Sequence, residues 1–301
     1  MKSKNNNKME FKNNNYQIYN DDCVNQLSKM ENNVFDFSIF SPPFAELYVY
    51  SDDPRDMGNV LNYDEFFNHF SFLTPELYRT LKPGRLIAVH CMDVSLQKGK
   101  DGVIGLKDFS GDLIRNFTDQ GFIYHTRVTI WKNPVTEMQR TKALGLLHKT
   151  IKKDSSMSRV GGADYILVFR KPGENKVPIT HQDTDQNKEN YLPVDLWQKY
   201  ASPVWNDINY SNTLQYRSAR ADKDEKHICP LQIETIERCL HLWSNEGDNV
   251  LSPFSGIGSE GHTALKMNRK FTGIELKPSY FQQMHRNLER LLESKHQLEI
   301  F

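Results

Sequence analysis

The chain has 301 residues, balances 38 Lys and Arg against 38 Asp and Glu, and has a mean hydropathy of −0.65. That length fits one large domain or two small ones, and no apolar run approaches the roughly 18 residues that a membrane helix needs. Residues 1–15 lack the apolar centre of a secretory signal, and Cys23, Cys91, Cys229 and Cys239 have no zinc-type spacing, so they read as reduced thiols of a cytoplasmic protein.

In chain order, residues 1–15 read as a polar, disordered tail. Residues 17–19 read as a short strand, Asn20-Asp21-Asp22 as an acidic turn, and 23–30 as a short helix with Val24 and Leu27 inward. Residues 34–40 form an apolar strand that runs into Ser41-Pro42-Pro43-Phe44. Prolines cannot continue a central strand, so the chain leaves the sheet there. Residues 45–63 have no clean period and are expected to form a long loop. Residues 64–81 place Phe66, Phe67, Phe70, Leu73, Leu77 and Leu81 at helical spacing, with Pro75 expected to kink or divide the helix. Lys82-Pro83-Gly84 reads as a stop, 85–90 as a buried strand and 107–120 as a helix. Strands are expected at 122–131 and 165–170, then a polar linker over 174–190. The last part reads as helix 231–243, strand 249–251, glycine-rich turn 252–261, strand 271–276 and helix 278–295 with Pro at its start.

Strands alternating with helices predict an α/β fold, a Rossmann-like sheet with helices on both faces. In such sheets ligands bind beyond the carboxyl ends of the strands. Both unusual loops, 41–44 and 252–261, leave such ends, so they can line one cleft. The later loop holds Phe254 and the spacing Gly256-x-Gly258-x-x-Gly261, which lets a ligand approach the backbone. Glu275 ends the next strand, where a carboxylate can accept bonds from ribose hydroxyls. The bland alternative is a tight strand-to-helix turn. Ser41–Phe44 offers a hydroxyl, a carbonyl and an aromatic face, which suits a planar base with an exocyclic NH2; the alternative is a proline turn with a buried Phe. Between Arg127 and Lys171 stand ten basic residues and three acids, net +7, either a polyanion footprint or a solvated loop.

Together these motifs resemble the amino-group DNA methyltransferases that use S-adenosylmethionine (SAM), in their β order. That order is circularly permuted: an S/D/N-P-P-Y/F catalytic motif comes early and the glycine-rich SAM loop late. Lys226-His227-Ile228-Cys229-Pro230-Leu231-Gln232 resembles the segment before that loop, and Asn20-Asp21-Asp22-Cys23 the turn whose aspartate meets the adenine. The resemblance implies a tail at 1–15, a catalytic half at 16–131, a basic insert with a sheet strand and the target-recognition region at 132–225, and a SAM-binding half at 226–301. It implies Ser41, Pro42, Pro43 and Phe44 as catalytic, and Asp22, Lys226, His227, Phe254, Gly256, Gly258 and Glu275 as cofactor-binding, with no metal. Arg140, Lys142, Lys149, Lys152 and Arg159 are the candidate DNA contacts, and 45–63 a lid. Two positions depart from the family pattern: Ser252 replaces an acid that often opens the SAM loop, and Phe44 replaces the commoner Tyr.

The implied reaction moves the SAM methyl group to an exocyclic amine of a flipped base. Serine at the first motif position favours cytosine N4, with adenine N6 as the alternative. No cysteine follows a proline, which disfavours carbon-5 chemistry. More remote readings are an RNA or protein N-methyltransferase, a non-catalytic nucleic-acid binder on the same fold, and a nicotinamide oxidoreductase. The implied partner is double-stranded DNA; a second copy of the chain and a cognate restriction enzyme are further partners of the family, and no membrane is involved. His69, His90 and His125 lie in or beside apolar segments and read as core or surface histidines.

Overall fold

The computed structural model describes residues 9–44, 55–58, 60, 62–96, 98–141, 146–188, 190–215 and 230–299. Most of the expected lid, together with Lys142, Lys226, His227 and the Arg140 side chain, lies outside the described residues. The chain opens with β1 (Glu10–Lys12), β2 (Tyr16–Tyr19), α1 (Cys23–Leu27) and β3 (Phe35–Phe40). Next come α2 (Tyr63–Thr80), β4 (Leu81–Met92), β5 (Val94–Leu96), α3 (Lys98–Asp101), β6 (Gly105–Lys107) and α4 (Phe109–Asp119). They lead to β7 (Ile123–Ile130), α5 (Pro134–Thr141), α6 (His148–Lys153), β8 (Asp164–Arg170), α7 (Val194–Tyr200) and β9 (Val204–Trp205). The last elements are α8 (Ile233–Trp243), β10 (Asn249–Ser252), α9 (Ser259–Lys266), β11 (Lys270–Ile274) and α10 (Pro278–Glu299).

Among the described residues nine strands form one sheet in the order β1-β2-β11-β10-β3-β4-β8-β7-β9. β2, β11, β10, β3 and β4 run parallel, and β8 lies antiparallel between β4 and β7. Every residue of β3 is buried, as a strand covered on both faces requires, and its two polar residues, Asp36 and Ser38, are hydrogen-bonded within the fold. Phe40 faces the core that holds Phe66, Phe70 and Leu77 of α2 with Leu113 and Phe117 of α4. Phe37 and Ile39 face the opposite core with Ile236 of α8, Leu265 of α9 and Met284 of α10. Helices therefore cover both faces, as the alternation predicted.

Local structure departs from the sequence expectations at three places. Pro75 does not divide α2, which runs unbroken from Tyr63 to Thr80. The missing N–H would have bonded the Ser71 carbonyl, and Ser71 is exposed, so water can take that acceptor. The helix stops before Lys82-Pro83-Gly84 as expected, but the following strand, β4, begins at Leu81 and includes these residues rather than starting at Arg85. They form a bulge between the Phe35–Leu81 and Phe37–Leu86 pairs, where a proline forfeits no ladder bond. Within the expected tail, β1 pairs antiparallel with β2, and Phe11 stacks on His285 of α10 with ring centroids 3.6 Å apart.

At the amino ends of β3, β4 and β10 a buried charge cluster ties the strands together. Arg85 is 2% exposed; its Nη1 donates to Asp248 Oδ2 at 3.0 Å and its Nη2 to Asp36 Oδ1 at 3.3 Å. Lys82 Nζ donates to the same Asp36 oxygen at 2.6 Å, and the Asn249 N–H to Asp36 Oδ2 at 3.0 Å. Removing one partner of a buried ion network leaves the other charges uncompensated, at a cost of about 3–5 kcal/mol. Arg85→Met is therefore expected to lower unfolding stability by about that amount in urea titration; a loss below about 1 kcal/mol would show that Lys82 and the backbone donors suffice.

Candidate active site

The parallel strands β2, β3, β4, β10 and β11 all end on one edge of the sheet. The segments leaving them line a single cavity: Asp21–Cys23 after β2, Ser41–Phe44 after β3, His90 and Met92 at the end of β4, 253–257 after β10 and Glu275–Lys277 after β11. The two loops singled out in the sequence thus meet, and Asp22, Ser41, Pro42, Pro43, Phe44, Phe254, Gly256 and Glu275 line the same cavity.

Within the glycine-rich half, Gly256 has φ +51°, and a Cβ there would meet open space. Its N–H donates to Glu275 Oε2 at 2.8 Å, while the Lys277 N–H donates to Oε1 at 2.8 Å. Burial pushes the Glu275 carboxyl up to about 7, against the two N–H donors that favour its charged form. Gly258 is glycine for another reason. It caps α9 at φ +87°, and a Cβ would stand 2.8 Å from Met284 Cγ, so it serves packing behind the loop rather than the cavity wall. Asp22 caps α1, its Oδ1 accepting the Asn25 N–H at 2.8 Å, which fixes its carboxylate at the cavity edge. The Phe254 ring lies 5.8 Å from that of Phe40.

The other half is a chain of polar contacts. Ser41 Oγ is 3.1 Å from His90 Nδ1, and His90 Nε2 is 3.4 Å from Asp164 Oδ2. Asp164 Oδ1 in turn is 2.5 Å from Lys132 Nζ, and Lys132 is 4.0 Å from Glu137. Burial alone would raise the Asp164 carboxyl, but His90 and Lys132 together hold it below its usual range. Asp164 beside Nε2 favours the imidazole proton there, leaving Nδ1 to accept from the Ser41 hydroxyl. With its one proton directed at His90, Ser41 Oγ presents lone pairs to the cavity. Phe44 stands edge-on to His90 and Phe109, with centroids 6.3 and 6.0 Å apart.

His90 is buried, as a core histidine would be, and it also lines the cavity. Asp164 and Lys132 also belong to the site. The signal lies in the register: Phe40 pairs with Val89, so the next residues, Ser41 and His90, are neighbours, and Asp164 enters by pairing with Met92 on the far side.

The basic segment is less uniform than its composition suggests. Lys132 is held at the cavity by Asp164, and Lys171 is buried, its Nζ donating to the Leu81 carbonyl at 2.7 Å and to Asn33 Oδ1 at 2.9 Å. Arg159 donates from Nη2 to Ser95 Oγ at 3.1 Å. Lys149 and Lys152, on α6, are exposed and stand with the exposed apolar residues Ile151 and Val160.

Residues 35–286 match the DNA methylase family of N6 and N4 enzymes. The chain is 24% identical over 269 residues to the type II methyltransferase M.BglII of Bacillus subtilis, covering 88% of this chain and 66% of that one. It spans about half to two thirds of the length of the curated relatives it matches. In fold it resembles a DNA modification methylase of Thermus thermophilus, solved with S-adenosyl-L-methionine, at TM-score 0.64 and 22% identity over 90% of this chain and 93% of that one. It also resembles the cytosine-N4-specific PvuII DNA methyltransferase at TM-score 0.63 and 16% identity, over 93% and 90% of the two chains. Among the described residues no helix is long and apolar enough to cross a membrane. With the family match running from β3 into α10, the chain belongs to the DNA methylase family.

Proposed function

We propose that the chain transfers a methyl group from S-adenosylmethionine to an exocyclic amine of a base in duplex DNA, cytosine N4 given the serine that opens its catalytic motif. The observation that carries this reading is the single cavity in which Ser41–Phe44 meets the loop of Gly256 and the carboxylate of Glu275. The residues present fit the cofactor: Gly256 leaves open space beside the backbone, and Glu275 is held by two N–H donors with lone pairs to spare for ribose hydroxyls. Asp22 and Phe254 would complete its seat, together with Lys226 and His227. The sulfonium supplies an already activated methyl group, so the chain needs no nucleophile of its own.

The chain's task is to aim the amine. Its lone pair is conjugated with the ring and must be turned out of it. Ser41 Oγ and the Pro42 carbonyl accept hydrogen bonds from the two N–H groups and favour a more tetrahedral nitrogen, and fixed orientation supplies much of the rate; one amine proton passes to water as the nitrogen–methyl bond forms and the methyl–sulfur bond breaks. The contact with His90 keeps Ser41 an acceptor towards the base. Phe44 stacks on the base, which must leave the duplex to reach the cavity. The motif order is then a circular permutation of the methyltransferase sheet, and 132–225 the DNA-recognition insert. Lys149 and Lys152 grip phosphates, with Arg140, Lys142 and Arg159 as further contacts.

Two measurements test this. Incubation with SAM and mixed-sequence duplex DNA, followed by nucleoside mass spectrometry, is expected to yield N4-methyldeoxycytidine, and Ser41→Ala to reduce it about 100-fold while SAM affinity changes less than about twofold. N6-methyldeoxyadenosine would keep the reaction and overturn the base assignment; modified RNA alone would overturn the DNA reading. In salt titrations of DNA binding, the Lys149→Ala, Lys152→Ala double variant is expected to lower the log–log slope by about two. An unchanged slope would remove α6 from the DNA contact.

A further inference from the structure

The cavity wall carries a buried acidic side chain that no cation of the described residues pairs with. Glu260 stands in the first turn of α9, lines the cavity and is 4% exposed. Other buried acids of this protein have a cation against them: Asp36 and Asp248 have Arg85, and Asp164 has Lys132. Among the described residues, no ion pair reaches Glu260. The charge that acts on it most is another acid, Glu275, which repels it. Burial pushes its carboxyl up to about 8. The partial positive charge of the α9 N-terminus favours a carboxylate there, but that field is weak beside the cost of desolvating a charge. Ser252, the neutral residue at the end of β10, is fully buried behind the loop and brings no charge to the wall.

A buried carboxylate that faces an open cavity without a counter-ion is arranged for a cation that arrives from outside. The geometry points to Glu260 as the counter-charge for the positively charged methionine end of SAM, on the wall it shares with Glu275. The inference rests on the cofactor reading above. Two cations of that end have the required chemistry, the sulfonium and the α-ammonium, and they are distinguishable because S-adenosylhomocysteine keeps the ammonium and lacks the sulfonium charge. If the sulfonium is the partner, its loss in the reaction leaves Glu260 unbalanced again and favours product release.

The test is calorimetric titration of the full chain with SAM and with S-adenosylhomocysteine, for wild type, Glu260→Gln and Glu260→Asp, with thermal melts of each protein without ligand. Glu260→Gln removes a buried charge, so it is expected to melt no lower than wild type at pH 8 yet to bind SAM about 10- to 100-fold more weakly. Loss confined to SAM assigns the sulfonium; equal loss for both ligands assigns the ammonium. Glu260→Asp keeps the charge but withdraws it by one methylene, and its SAM affinity is expected to fall several-fold with melting near wild type. If wild type binds SAM and Glu260→Gln binds within twofold of it, the inference is overturned. Should the Gln variant not fold, Glu260→Asp decides, and unchanged affinity there overturns it equally. Wild type that fails to bind SAM would remove the cofactor reading itself, a result distinct from either.

Discussion

Pairing of β3 with β10 is the contact on which the site depends. The register sets Val250 against Phe37 and Leu251 against Ser38, and the Ser38 hydroxyl donates to the Leu251 carbonyl at 3.0 Å. Because the two strands are parallel, the loops that begin at Ser41 and Pro253 leave the same edge of the sheet next to each other although most of the chain lies between them. At the opposite end of the same junction, Arg85 joins Asp36 and Asp248. Buried ion pairs are weak sources of net stability. Three charges that match only when β3, β4 and β10 are adjacent do, however, disfavour other strand arrangements.

Around the cavity, charge is organised in two ways. At the end of β4 the charges are paired: Lys132 balances Asp164, Asp164 stands against His90, and His90 Nδ1 accepts the hydrogen bond of the Ser41 hydroxyl. That half is set to present a neutral acceptor of fixed direction, which suits an uncharged amine. Near β11 the balance fails. Glu260 is buried and Glu275 half-buried, desolvation raises both carboxyls, and while Lys277 acts on Glu275, no ion pair reaches Glu260 among the described residues. An excess of negative charge in a low-dielectric wall is costly until a cation enters. The contrast agrees with the proposed division of labour between an amine substrate and a cationic cofactor.

The basic segment is tied to the same place by the sheet. β7 ends and β8 begins where Lys132 and Asp164 line the cavity, so the connection between them leaves and re-enters the fold at the Ser41 end. The exposed lysines of α6 are carried on that connection, while Lys132 and Lys171, counted with them by composition, are consumed inside the fold. Net charge along a segment therefore overstates the cations available to a phosphate backbone.

The inner strands of the sheet were legible in the sequence because they are apolar and bounded by turn residues, and the two loops because Pro and Gly restrict or extend the backbone locally; the edge strands β1 and β9, with little apolar sequence of their own, were not. The separate jobs of Gly256 and Gly258 were not, since only Met284 of α10 tells them apart. Nor could periodicity show that α2 would run through Pro75, which depends on Ser71 facing water. The order of the motifs, the serine before two prolines and the acid at the end of the last strand were determined by the sequence alone. The tertiary structure alone decided that His90, Asp164 and Lys132 stand in line behind Ser41, and that Glu260 is buried with no ion-pair partner among the described residues. Those facts follow from strand register and burial, which depend on residues far apart in the chain meeting across the sheet.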